Sequence, residues 1–142
     1  MLALASTQTV AAGPFDKGHV QTDVSMERYA GDLVGQDPHD RIFAARVIRT
    51  RVREAWRWAG GATDQLRAIE ARQTLSFFDV LVAPRCTRQL TVPNVMRPCA
   101  QILGMLETKN ALPALEDAYR TAQQRRDKRA IQTAIERIRS AQ

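Results

Sequence analysis

Asp37-Pro38-His39-Asp40-Arg41-Ile42-Phe43-Ala44-Ala45-Arg46-Val47-Ile48 is the stretch whose reading decides the fold. Asp37 is a good helix N-cap, and Pro38 suits the first helical position, where its missing N–H has no partner to lose. Ile42, Ala45, Ile48, Val52, Ala55 and Trp56 then recur at three- and four-residue steps, so a helix over 38–58 buries one of its sides. Gly60-Gly61 is expected to stop it.

The same pattern continues on both sides. Upstream, Met26 to Val34 reads as a short helix with Ser25 as its cap and Tyr29, Ala30, Leu33 and Val34 on one side; Gly35 ends it. Downstream, Thr63 is expected to cap a helix with Asp64 in its first turn. Leu66, Ile69, Gln73 and Phe77 form its stripe, and Leu75, Phe78, Leu81 and Val82 an apolar end bound for the core. Pro84 forbids continuation, so 83–92 reads as a loop or irregular turn. Pro93 starts a helix to about Leu106, with Val95, Cys99, Ile102, Leu103 and Leu106 inward and Pro98 in its first turns. Leu112–Gln123 and Asp127–Ser140 complete six short helices, the last with Ile131, Ala134, Ile135 and Ile138 at helical steps. No strand pattern occurs, so the fold class is all-α, with antiparallel neighbours set by short loops.

Three of these elements resemble one another. The 37–48 segment resembles the start of the second helix of a HEAT-like repeat, with its Asp-Pro turn, an Arg, and Ala leading to an aliphatic pair. Pro93-Asn94-Val95-Met96-Arg97-Pro98-Cys99-Ala100-Gln101-Ile102-Leu103-Gly104-Met105-Leu106 is similar to it. Ala111-Leu112-Pro113-Ala114-Leu115 follows, like the opening of the next first helix, and Asp127-Lys128-Arg129-Ala130-Ile131-Gln132-Thr133-Ala134-Ile135 is the third copy. The resemblance covers about residues 26–142 and implies a short, irregular α-solenoid of two to three HEAT-like helix pairs. The copies stand about 55 and then about 32 residues apart, unlike a regular array, and the extra length falls in 63–92. Met96 and Pro98 also depart from the pattern. A compact six-helix bundle is the rival architecture. At the helix starts, Arg41 and Arg129 are placed to pair with Asp37 and Asp127.

Composition sets the limits. The 142 residues fit one domain, and 44% hydrophobic content suits a folded core. No apolar run approaches the roughly 20 residues that span a bilayer, which excludes a helical integral membrane protein. The net charge is +6, and 18 of the 21 cations are arginine, the exceptions being Lys17, Lys109 and Lys128. Guanidinium forks suit carboxylates and phosphates, although arginine also serves as an ordinary solvated cation. His19 and His39 have no Cys or carboxylate at ligand spacing, and neither a Gly-rich phosphate loop nor a nucleophile elbow is present. The expectation is therefore no catalytic residue, no metal and no cofactor.

Residues 1–24 lack helical periodicity and read as a flexible segment. Met1-Leu-Ala-Leu-Ala-Ser and Thr9-Val10-Ala11-Ala12-Gly13 resemble the end of a signal-peptide core and a small-residue cleavage site, without a basic start. The alternative is a plain cytosolic tail. On balance a periplasmic or secreted location is favoured over the cytoplasm. There, Cys86 and Cys99 would form a disulfide closing a loop of about 14 residues, contributing up to ~3 kcal/mol; in a reducing compartment they are two buried thiols.

At 100° per residue, Arg46, Arg49, Arg53 and Arg57 fall within about 80° of one another on the 38–58 helix. Four cations at one-turn steps repel unless something anionic faces them, either acidic neighbours such as Asp32 and Glu70 or a partner. Trp56 sits on the apolar side. Trp58 projects elsewhere and suits either packing or an interface, where Trp and Arg are enriched. A second cluster, Arg125, Arg126, Lys128 and Arg129, marks a helix–helix turn that Arg120, Arg137 and Arg139 extend. These features point to a non-catalytic scaffold for protein–protein interaction, binding an acidic protein through Arg46, Arg49, Arg53, Arg57 and Trp58. The alternative is a basic helical-repeat protein that binds nucleic acid.

Overall fold

A computed structural model describes residues 25–61 and 64–141. The expected signal remnant and flexible segment at 1–24, and the expected cap Thr63, lie outside these. The described chain is all-helical. Seven α-helices follow in order: α1 Ser25–Leu33, α2 Pro38–Gly61, α3 Gln65–Leu81, α4 Ala83–Arg88, α5 Pro93–Leu106, α6 Leu112–Thr121 and α7 Arg125–Ser140. Short 3-10 turns at Gln89–Thr91 and Lys109–Ala111 link α4 to α5 and α5 to α6.

Helix α2 packs on α1, α3 and α5; α5 in turn packs on α7, and α6 covers α7. The core between them is apolar and mostly aliphatic, with Leu33, Ile48, Val52, Phe78, Ile102, Leu103, Leu115, Ile131 and Ile138 fully buried. Every inward position expected of α7 is buried, and so are those of α5 except half-buried Leu106.

Four expectations are corrected. The 83–92 segment is not a loop, because Pro84 stands in the first turn of α4, where proline fits, and Ala83, Cys86 and Leu90 anchor the segment to the core. Among the described residues the helix count is therefore seven rather than six. Helix α2 includes Gly60 and ends at Gly61, at the glycine pair expected to stop it. On α3 the expected stripe is exposed at Leu66 (69%), Ile69 (43%) and Gln73 and half-buried only at Phe77, and the buried side is Ala68, Ala71, Thr74 and Phe78. The small residues let α3 lie close on α2, and the Thr74 hydroxyl is satisfied by donating to the Glu70 carbonyl (3.0 Å). The cap of α3 is Asp64, whose carboxylate accepts from the N–H groups of Leu66 (3.0 Å) and Arg67 (3.4 Å).

Two turns set the angles between helices. Asp37 caps α2 by accepting from His39 N–H (2.9 Å), while Arg41 donates to the Gly35 carbonyl (2.5 Å). Arg41 thus ties α2 back to the end of α1 instead of pairing with Asp37. At the end of α5, Glu107 takes the left-handed conformation (φ 55°, ψ 44°), and Thr108 N–H reaches back to Leu103 O (3.2 Å). That geometry turns the chain toward α6 in the manner of a Schellman cap.

Candidate anion-binding groove

The four arginines of α2 lie on the side that faces α5 and α7. Arg53 and Arg57 line a groove of about 470 Å³, together with Arg97 of α5 and Arg126, Arg129 and Arg137 of α7. Arg46 and Arg49 continue this surface into a smaller cavity of about 120 Å³, which Arg97 and Arg126 also line. Arg97 and Arg126 therefore join the two, and eight arginines from three helices form one surface.

Countercharge is nearly missing. Among the described residues no carboxylate lines the larger groove, and only Asp127 lines the smaller cavity. Asp127 is buried in the first turn of α7, where the helix dipole favours its charge. Three ion pairs occur among the described residues, Arg67–Asp64, Arg120–Asp117 and Arg139–Glu116, and none uses a groove arginine. Asp32 and Glu70 do not pair with the stripe. Arg49 donates to the amide oxygen of Gln101 (2.9 Å), a neutral acceptor, and its Nε–H is buried without a partner. Burial first, and then the charges of Arg53, Arg97 and Arg46, hold its pKa below the ordinary arginine value.

The two tryptophans have separate duties. Trp56 is half-buried and lines the groove, with the Arg137 guanidinium 4.7 Å from its ring centroid. Trp58 instead packs toward α3 against Ala55 and Ala71, and Arg67 lies 5.3 Å from its ring centroid. The structure thus sets Trp58 apart from the arginines with which the sequence grouped it, and puts Trp56 among them. The turn cluster divides in the same way. Arg126 and Arg129 belong to the groove, whereas Arg125 is exposed and lines neither cavity. Lys128 turns to α6, donating to the Tyr119 carbonyl (2.8 Å) with its Nζ 4.7 Å from the Tyr119 ring centroid. Arg129 makes no ion pair with Asp127.

Sequence reasoning missed Arg97. It is a single cation on a largely apolar helix, and only the packing of α5 between α2 and α7 gives it weight. Its one signal was position, four residues before Gln101 on the same helix side.

Cys86 and Cys99 are free thiols in this structure. Both are fully buried, and the Cys99 thiol neighbours that of Cys86. Burial first, and then the neighbouring Cys99 thiol, push the Cys86 pKa well above the ordinary thiol range. No cluster of three metal-ligating side chains occurs among the described residues, and no described helix is long and apolar enough to cross a membrane.

No protein-family model matches the chain, and neither a curated protein nor a solved structure is significantly similar to it.

Proposed function

We propose that this chain is a non-catalytic interaction module whose arginine groove holds an acidic segment of a protein partner. The observation that carries the reading is the convergence of Arg53, Arg57, Arg97, Arg126, Arg129 and Arg137 on one groove without a carboxylate among its lining residues. Guanidinium groups bind carboxylates through paired hydrogen bonds, and six of them can engage several acidic side chains at once. Trp56 beside them supplies the aromatic anchor common at the centre of binding surfaces.

The architecture we propose is a short, irregular HEAT-like solenoid. Its support is the order of packing: the three segments that resemble second helices are α2, α5 and α7, and they lie side by side, α2 on α5 and α5 on α7. Stacking like elements in sequence order is how a repeat protein builds a continuous binding surface.

Fluorescence anisotropy with a labelled poly-glutamate 20-mer, and with single- and double-stranded DNA of like length, tests the reading at about 50 mM salt. The peptide is expected to bind, and Arg53→Glu with Arg129→Glu to abolish binding while the circular dichroism melt is unchanged. DNA binding tighter than the peptide would replace this reading with nucleic-acid recognition. Binding of neither would overturn it.

A further inference from the structure

The arginine groove does not end at its own rim. Trp56, Arg57 and Met105 line it on one side and on the other line a second, larger cleft of about 860 Å³. The character of the wall changes across that shared edge. Beyond it stand Leu75, Val80 and Leu106, and Val80 is 80% exposed, a large apolar side chain left in water at the mouth of a cavity. The cleft's cations, Arg57 and Arg72, are matched in number by Asp79 and Glu107, so the apolar part carries no net charge. Asp79 is held in place by the Thr108 hydroxyl, which donates to it at 2.6 Å. One continuous trough thus runs from a strongly cationic end to a neutral, apolar end with carboxylates in its wall.

We infer that the partner segment is bipartite, with acidic side chains in the arginine groove and one or two large aliphatic or aromatic side chains in the adjoining cleft. This rests on the reading of the groove as a protein-binding surface, and it names the chemistry of the segment. The volume is within the range of about 300–1,000 Å³ typical of ligand sites, so it accepts more than one bulky side chain. Burying an exposed apolar wall against such side chains adds a driving force that salt does not screen. Nucleic acid fits this half poorly. Its bases can stack on Trp56, but its charged backbone has nothing to offer Leu75, Val80 and Leu106. Asp79 and Glu107 also set the direction of the segment, because acidic residues placed beyond the apolar anchor meet like charge.

Three synthetic peptides test this: an acidic peptide of four glutamates in a Gly/Ser background, the same peptide with Leu-Phe added on one side, and one with glutamates on both sides of Leu-Phe. A Ser76→Cys variant carries the reporter. Ser76 is exposed and lines the cleft, and both native cysteines are fully buried, so an environment-sensitive maleimide dye labels the new thiol selectively. The Leu-Phe peptide is expected to bind at least tenfold more tightly than the acidic one and to shift the dye emission to the blue. The doubly acidic peptide is expected to lose most of that gain. Val80→Gln, at an exposed position that folding does not need, should reduce the gain and leave acidic-peptide binding as it was. Equal affinities with no emission shift overturn the bipartite segment while the acidic-partner reading stands. If the acidic and Leu-Phe peptides both fail to bind, the acidic-partner reading falls and takes this inference with it.

Discussion

Gly104 of α5 and Ala134 of α7 touch so closely that a Cβ on Gly104 would lie 2.8 Å from the Ala134 Cα and 3.0 Å from its Cβ. This close approach lies in the α5–α7 contact that brings Arg97 toward Arg126, Arg129 and Arg137.

Gly104→Ala should therefore destabilise the fold by about 1–3 kcal/mol, the usual cost of overpacking a core. A urea melt measures it. Ala134→Gly should rescue only part of the loss, because the closer of the two contacts is with backbone. Full stability in Gly104→Ala would mean that the helices can separate freely.

At Glu107 the sign is opposite. A residue with a Cβ in the left-handed region costs roughly 1–2 kcal/mol, which glycine avoids at the price of a looser unfolded chain. Glu107→Gly should raise stability by about 0.5–1 kcal/mol, read as a higher denaturant midpoint with unchanged slope.

Uncompensated groove charge should make folding respond to polyanions. Tripolyphosphate at millimolar concentration should raise the melting temperature more than chloride at equal ionic strength, since a ligand that binds only the native state stabilises it. Arg53→Gln with Arg129→Gln should erase the difference. A difference that survives in the double variant would place the binding elsewhere.

The Cys86 thiol is an acid whose pKa is raised in the folded state by burial and by the neighbouring Cys99 thiol. Below the unfolded pKa of about 8.5 both states hold the proton, and this group adds no pH dependence. Above it the unfolded chain ionises while the native chain does not, so stability falls as pH rises. Cys86→Ala should flatten that alkaline decline relative to the parent. In native protein neither thiol should react with iodoacetamide at neutral pH, and in denaturant both should, by intact mass.

Trp58→Ala should lower stability by roughly 1–3 kcal/mol through lost packing against Ala55 and Ala71. It should leave poly-glutamate affinity within twofold of the parent. Trp56→Ala should weaken that affinity severalfold. The reverse order would return the interface to Trp58.

The arginine stripe of α2 was legible because four residues on one helix need only the 100° step to be placed together. The groove was not, because it needs α5 and α7 beside α2, and periodicity carries no information about which helix covers which side. The tryptophans show the same limit. Two residues apart on α2, they point to different neighbours, and both sides of that helix are covered. On α3 the large residues Leu66 and Ile69 suggested the buried side, but Ala68 and Ala71 won it because small side chains allow a close approach to α2. Helix α4 was hidden by its length, since six residues are too few to show a period.

The missing carboxylates of the groove also matter before any contact is made. Unopposed positive charge projects a field about a Debye length into solution, roughly 8 Å at physiological salt. An anionic segment is drawn in and turned to face the arginines while still separated by water. The groove is in this sense an accelerator of encounter: salt slows arrival far more than it hastens departure, and the lifetime of the complex is left to close packing around Trp56.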